Sequence, residues 1–216
     1  NYFLENCMSI KSKFLYFSSV DVYGDTSNYN GRIKEDYHGN LVLGSERGAY
    51  GESKRVGEIL CKIYNKNTKK KNVKIVRPAH TYGPGFNKSD NRVIVDFINE
   101  ALSNKISIKD NGKSIKTFGY IGDIVEMFFN IILSGKDEIY NTCGKNIVSI
   151  KELATEISNN FKNCKVTYAI KKNKSNYINS DNSKSIISSS KYIDEFKKKN
   201  FTSFNYGIKN LIKWLA

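Results

Sequence analysis

Apolar residues fall along the first ninety positions in short blocks separated by polar stretches. Residues 2–10, YFLENCMSI, read as a helix, and the aromatic-rich run 13–19, KFLYFSS, is too short for one and reads as a buried strand. A polar, glycine-containing stretch at 24–48 reads as a loop. From Tyr50 onward, Val56, Ile59, Leu60, Ile63 and Tyr64 recur at the one-face spacing of an amphipathic helix. A second buried strand, VKIVR at 73–77, is closed by Pro78 and the turn-rich TYGPG at 81–85. Strand, helix, strand in this order predicts an α/β unit with a parallel sheet.

Beyond residue 88 the texture changes, and the pattern divides the chain into 1–88 and a second part, 89–216. Residues 92–102 read as a helix, 106–118 as a hairpin about Asp110-Asn111-Gly112, 123–133 as a helix and 138–142 as a strand. Ser149 and Glu152 have capping-box spacing and open a helix running to about 160. A strand is expected at 165–170, a flexible polar loop at 171–185, and an amphipathic helix at the end, YGIKNLIKWLA.

Composition narrows the chemistry. With 39% apolar and 12% aromatic residues, the 216-residue chain has enough material for a real core, and it holds no apolar run of membrane-spanning length. Cys7, Cys61, Cys143 and Cys164 are scattered and only His38 and His80 accompany them, so neither a zinc site nor a disulfide framework is expected. A reducing cytoplasm is the natural setting. The net charge of +14 comes almost wholly from lysines set among asparagines, as in NKNTKKKN at 65–72. Such lysines decorate solvated faces, and without an arginine-bearing stripe and interleaved aromatics they do not read as a nucleic-acid site.

Tyr50 and Lys54 stand four apart, in AYGESKRVGE at 49–58, and the same spacing recurs at Tyr168 and Lys172. On a helix, residues four apart share a face and reach one another. On a strand they lie ~13 Å apart, so the second pair is discarded.

Three stretches in order, FSSVDVYGD (17–25), AYGESKRVGE (49–58) and IVRPAHTYGPG (75–85), resemble the extended short-chain dehydrogenase/reductase family in its nucleotide-sugar epimerase, dehydratase and decarboxylase branch. The resemblance continues through NGKSIKTFGYIGDI (111–124), IYNTCG (139–144) and GIKNLIKW near the end. It implies the second half of a Rossmann-type parallel sheet plus a smaller C-terminal lobe that binds a nucleotide sugar. No G-x-G-x-x-G phosphate loop occurs in the sequence, so the chain resembles the downstream two-thirds of such an enzyme and is expected to be inactive alone.

The resemblance also implies roles. Tyr50 becomes the general base that takes a sugar hydroxyl proton while hydride passes to NAD, and Lys54 its electrostatic partner and ribose-holding residue. A free tyrosine titrates near ~10, so an ammonium one turn away is needed to favour phenolate. Ser19 is expected to hydrogen-bond the reacting oxygen, with Phe17, Ser18 and Pro78 against the cofactor. Asp21, His80, Arg92 and Lys116 are expected on the substrate side, Arg92 as the diphosphate anchor. Lys116 stands where the family carries an arginine, which keeps the charge and loses the bidentate fork. Val20 occupies the place of an acid that the family's 4,6-dehydratases use to expel water, which favours epimerase or decarboxylase chemistry. A homodimer is expected through the face of the Tyr50 helix opposite Tyr50. The rival reading is a non-catalytic nucleotide-binding relative, against which the Tyr50, Lys54 and Ser19 set argues.

Overall fold

In the computed structural model, residues 2–10, 12–41, 46–68, 72–168 and 183–215 are described. The chain runs through α1 (Tyr2–Ser9), β1 (Phe14–Phe17), a 3-10 turn (Val20–Tyr23), α2 (Glu46–Thr68), β2 (Val73–Pro78) and β3 (His80–Tyr82). It continues with α3 (Val93–Ala101), β4 (Lys105–Ile108), β5 (Ile115–Tyr120), α4 (Ile121–Ser134), β6 (Ile139–Thr142) and β7 (Asn146–Ser149). Then follow α5 (Ile150–Ser158), β8 (Lys165–Tyr168), β9 (Lys184–Ser185), α6 (Ser190–Phe196) and α7 (Phe204–Leu215).

The first sheet is parallel throughout, in the order β1–β2–β6. Because strand side chains alternate, each strand supplies both faces. Phe14 and Tyr16, Val73 and Ile75, and Ile139 pack with Leu4 of α1 and Cys61 of α2. Leu15, Val76 and Tyr140 pack on the other face with Ile124, Met127 and Ile131 of α4. Fully buried residues such as Ile75 and Val76 each contribute ~1.5–3 kcal/mol of transfer free energy. α4 and β6, though beyond residue 88, thus build the same layers as β1 and β2.

Two expectations need correction. β1 was read as a buried strand, yet Phe14, Leu15 and Tyr16 are only partly buried and Phe17 remains 50% exposed. Aromatic content marks a strand, but not whether a neighbour lies on each side. The apolar stripe of α2 is exposed at Val56, Ile59, Leu60 and Ile63. The inward face instead carries Gly51, Glu58, Cys61 and Asn65. The 106–118 hairpin is absent as well. The turn at Asp110–Gly112 is real, with Gly112 at φ 67° and its N–H donated to Asp110 Oδ1 at 2.7 Å. The flanking strands nevertheless separate, β4 pairing with β8 and β5 with β3, β7 and β9. Ile106 and Ile108 are drawn into the core built by α3, α5 and α7, and that burial outweighs a local pairing.

The capping box forms as expected: Ser149 Oγ accepts from Glu152 N at 3.1 Å, and Ser149 N donates to Glu152 Oε2 at 2.6 Å. Lys172 and most of the 171–185 segment lie outside the described residues, whereas its last residues enter β9.

A buried ion pair ties these elements together. Arg77 on β2 donates Nε and Nη2 to the two carboxylate oxygens of Glu58 on α2, at 2.8 and 2.6 Å. Its Nη1 donates to the Tyr23 hydroxyl at 2.9 Å and to the Glu35 carbonyl at 3.0 Å. Tyr23 donates onward to Asn141 Oδ1 at 2.7 Å, and Ser18 Oγ donates to Glu58 at 2.6 Å. Burial alone would raise the Glu58 carboxyl, but the hydrogen bonds and charge of Arg77, with the Ser18 hydroxyl, hold it below its ordinary value. Burial also pushes the Tyr23 phenol up, to about 12, against the opposing pull of Arg77.

Glu58→Gln keeps the shape, removes the charge and leaves Arg77 buried without its counter-ion. It is expected to cost ~3–5 kcal/mol, read as a lowered urea midpoint at unchanged slope. Because the folded carboxyl titrates below the unfolded one, the pair's contribution is complete above the unfolded value of 4.5. It is lost as pH falls from there through the folded value, so the gap between wild type and variant should narrow in acid. An unmoved midpoint near neutrality would show the pair contributes nothing.

Candidate active site

The C-terminal end of β1 gathers most of the residues singled out by sequence. β1 ends at Phe17, whose carbonyl accepts from Lys54 Nζ at 2.9 Å. The same ammonium lies 5.6 Å from the ring centroids of both Tyr50 and Tyr16. Lys54 and Tyr50 therefore meet across one turn of α2, as their spacing predicted. The Tyr50 ring is 46% exposed and opens outward.

Close approach of α2 to the rest of the molecule depends on a glycine beside each of these residues. A β-carbon on Gly51, next to Tyr50, would lie 2.8 Å from the Asp21 carbonyl oxygen. One on Gly57 would collide with the Tyr16 ring. Arg55 adds polar ties by donating Nε and Nη2 to the Val22 carbonyl at 3.0 and 2.7 Å, and Nη2 to the carbonyl of His38.

Ser18 and Ser19 differ in what their hydroxyls do. Ser18 is buried and donates to Glu58, so only its backbone faces the β1 end. Ser19 caps the 3-10 turn: its Oγ accepts from Asp21 N at 3.1 Å and donates to Asp21 Oδ2 at 3.2 Å. Val20 is buried against Val22, Tyr23, Ala79 and Cys143. Pro78 ends β2 opposite Thr142.

The substrate-side candidates sit on other elements. His80 lies on β3 with its ring 5.7 Å from Phe118. Lys116 on β5 donates to Ser183 Oγ at 2.9 Å. Arg92 is the N-cap residue of α3, with its guanidinium 4.6 Å over the Phe86 ring and 3.7 Å from Asp90. None of these three has a direct contact with Tyr50 or Lys54 among the described contacts. An open groove of about 690 Å³ lies along Asp123, Glu126 and residues 196–202, and its Lys198 is occupied by Asp123 and Glu126 at 3.3 and 2.8 Å. No candidate site residue lines it.

Sequence reasoning missed Glu58, Arg77, Tyr23, Arg55 and Tyr16. Glu58 was the most accessible of them, since Tyr50, Lys54 and Glu58 continue one face at steps of four.

A profile described as NAD dependent epimerase/dehydratase family matches residues 3–143. The chain belongs to that family. UDP-glucuronic acid decarboxylase 1 of Arabidopsis thaliana is 33% identical over 118 residues, 54% of this chain and 26% of the relative. The dTDP-D-glucose 4,6-dehydratase of Dictyostelium discoideum is 32% identical over 167 residues, 74% of this chain and 38% of the relative. Among solved structures, UDP-glucuronic acid 4-epimerase from Bacillus cereus, in complex with UDP-glucuronic acid and NAD, superposes with TM-score 0.80 at 23% identity. The dTDP-glucose 4,6-dehydratase of Bacillus anthracis, in complex with NAD, gives 0.78 at 19%. Each superposition covers 98% of this chain and 64% of the other, and at such identities the likeness shows the Rossmann-type fold alone. The matches to the two curated relatives span about a quarter to two-fifths of their lengths.

NAD is the cofactor of this family, and part of it fits the residues present. An ammonium has three donors, and the Phe17 carbonyl takes one of those on Lys54. The others, beside the half-exposed Tyr50 and Phe17 rings, suit a ribose diol next to a flat nicotinamide. For the pyrophosphate, the sequence has no G-x-G-x-x-G loop to offer.

Ser19→Ala removes a cap as well as a candidate substrate contact. The lost Asp21 N–H bond is expected to cost ~0.5–2 kcal/mol of stability in chemical unfolding, and Ser19→Thr to restore most of it. A fully stable alanine variant would refute the capping role.

Proposed function

We propose that the chain forms the base-bearing part of an enzyme that oxidises a hydroxyl of a nucleoside-diphosphate hexose or uronic acid and then epimerises or decarboxylates it. The observation that carries this reading is the Lys54 ammonium, held on the Phe17 carbonyl and set against the exposed ring of Tyr50. Tyr50 takes the hydroxyl proton, and Lys54 favours its phenolate and binds the ribose. Bound NAD supplies the acceptor for the hydride that leaves the same carbon. Ser19 turns from Asp21 to the reacting oxygen when substrate enters, and donates to the oxygen as it gains negative charge. Asp21 and His80 bind sugar hydroxyls, while Arg92 and Lys116 attract the diphosphate. Phe17, the Ser18 backbone and Pro78 flank the nicotinamide.

Val20 favours epimerisation or decarboxylation over 4,6-dehydration, because a buried valine has no proton to deliver to a leaving hydroxyl. The pyrophosphate needs a glycine-loop unit beyond these 216 residues. The open edge of β1, with Phe129 and Leu133 exposed on the neighbouring helix α4, is where such a unit docks. The chain by itself is therefore inactive.

The test uses the native gene product, translated from its own start, with NAD and UDP-glucuronic acid, UDP-glucose or dTDP-glucose. Tyr50→Phe is expected to lower turnover by at least ~10²-fold with NAD affinity nearly unchanged. Near-normal turnover would remove Tyr50 as the base. Efficient accumulation of a 4-keto-6-deoxy product from dTDP-glucose, read by its absorbance in alkali, would overturn the subclass.

The exposed stripe Val56, Ile59, Leu60 and Ile63 lies on the side of α2 away from Tyr50, and a second copy of the same stripe is its proposed cover. Ile59→Asp with Ile63→Asp is expected to halve the mass seen in sedimentation without loss of helicity. A monomeric wild type would exclude the dimer.

A further inference from the structure

Tyr16 lies on β1 beneath Lys54, and nothing in the reaction described above requires it. Its ring and hydroxyl fill a notch that exists because residue 57 is glycine, since a β-carbon there would collide with them. The hydroxyl is 3.5 Å from the Lys54 carbonyl, while the ring centroid is 5.6 Å from Lys54 Nζ. The ammonium thus rests against two aromatic faces, Tyr16 from the strand and Tyr50 from the helix, with the Phe17 carbonyl as its anchor.

We propose that Tyr16 is a positioning residue, seated in the Gly57 notch of α2, whose ring holds the Lys54 ammonium at the end of β1 beside Tyr50. The assignment rests on the reading of Lys54 as the partner of Tyr50. Two phenols share one ammonium, and their surroundings separate their roles. Burial pushes the Tyr16 phenol up, and Cys61, Glu58 and Tyr50 push in the same direction. Tyr16 therefore stays neutral, offering Lys54 a π face without drawing its charge into an ion pair. The positive charge remains available to the half-exposed Tyr50.

A residue that only filled core volume would have no effect on the chemistry of the Lys54 amine, so that amine is the readout. The native gene product is trace-acetylated with an amine-reactive acetyl ester, and the rate at each lysine is read by peptide mass spectrometry. Lys66, on the same helix, is the internal reference. In Tyr16→Leu the rate at Lys54 is expected to rise about two- to five-fold, the release expected from losing one exposed cation–π contact. Gly57→Ala, which blocks the seat, should give the same rise. Tyr16→Phe, which keeps the ring, should match wild type, and Lys66 should not change in any variant. Should Tyr16→Leu fail to fold, Tyr16→Met fills more of the space and carries the same expectation. An unchanged Lys54 rate in a folded ring-less variant overturns the proposal, as does an equal rise in Tyr16→Phe. Acetylation needs neither cofactor nor turnover. A raised Lys54 rate together with a fully active Tyr50→Phe would thus leave the placement standing and remove the catalytic reading.

Discussion

The bidentate pair between Arg77 and Glu58 is the constraint on which the rest of this structure depends. Two charges withdrawn from water cost several kcal/mol each, and their attraction repays that only with good geometry and every remaining donor and acceptor satisfied. Here the geometry is good, and four of the five guanidinium N–H donors have partners among the described residues. The guanidinium fork faces the carboxylate directly, its third nitrogen is shared by Tyr23 and the Glu35 carbonyl, and Ser18 completes the carboxylate. The return is registration. β2, α2, the end of β1, the 3-10 turn and, through Asn141, β6 are held by one set of directional contacts. An apolar cluster of equal area would bury as much surface and would allow α2 to slide. Two turns along the same face, Tyr50 inherits that fixed position.

The helix bearing Tyr50 reverses the usual arrangement of an amphipathic helix. Its inward face is glycine, glutamate, cysteine and asparagine, and its aliphatic stripe points out. Small residues let the helix axis approach the strands, so that a lysine can lie across the end of β1 rather than reach toward it from a distance. Polar groups then replace side-chain volume as the source of cohesion. Asn65 does this at the far end, donating to the Val73 carbonyl at 2.9 Å and to Glu138 at 2.6 Å. The exposed stripe is a consequence of that choice, since the apolar residues have no room on the inner side.

Much of this architecture was legible because its signals are local. The strand–helix–strand order, the helix periods, the Ser149 cap and the Tyr50–Lys54 contact each follow from spacing over a few residues. The errors lie where the answer depends on distant chain. KFLYFSS announces a strand, but how deeply it is buried is decided by what lies beyond it. The Asp110–Gly112 turn is encoded in its own residues, whereas the partners of β4 and β5 are β8 and β3, set by long-range burial. α2 was read by its apolar stripe, although its inner face is set by close approach, which hydropathy does not record. In the candidate site, Ser19 was read chiefly as a substrate contact, and its capping role depends on the turn that follows it. Arg77 passed unnoticed because an arginine inside VKIVR declares no partner until Glu58 is brought opposite.

Tyr50, the proposed base, lies on a helix packed against the first sheet, and Lys116, proposed to attract the diphosphate, lies on a strand of the second, so their separation is set by what joins the two layers. Part of that joint is the segment following Tyr23, which sequence treated as a plain loop. Its backbone is gripped by Arg77 of the first sheet and by Arg55 of α2, and the Glu35 carboxylate accepts from Asn141 N at 2.8 Å. From the other side, Ile33 exchanges backbone hydrogen bonds with Ile186 and Ser188 at 2.7 and 2.9 Å, next to β9, which pairs with β5. Thr26 reaches Lys184 on β9 as well. Lys116 lies on β5 in register with Ser185 of β9, and Tyr50 lies on the helix that Arg55 fastens to this same segment. A polar, glycine-bearing stretch with little helix or strand of its own is therefore a strut between Tyr50 and Lys116. Its order comes from Arg77 and Arg55 on one side, from the backbone bonds of Ile33 on the other, and from burial of Ile33 with Tyr23 and Ile187.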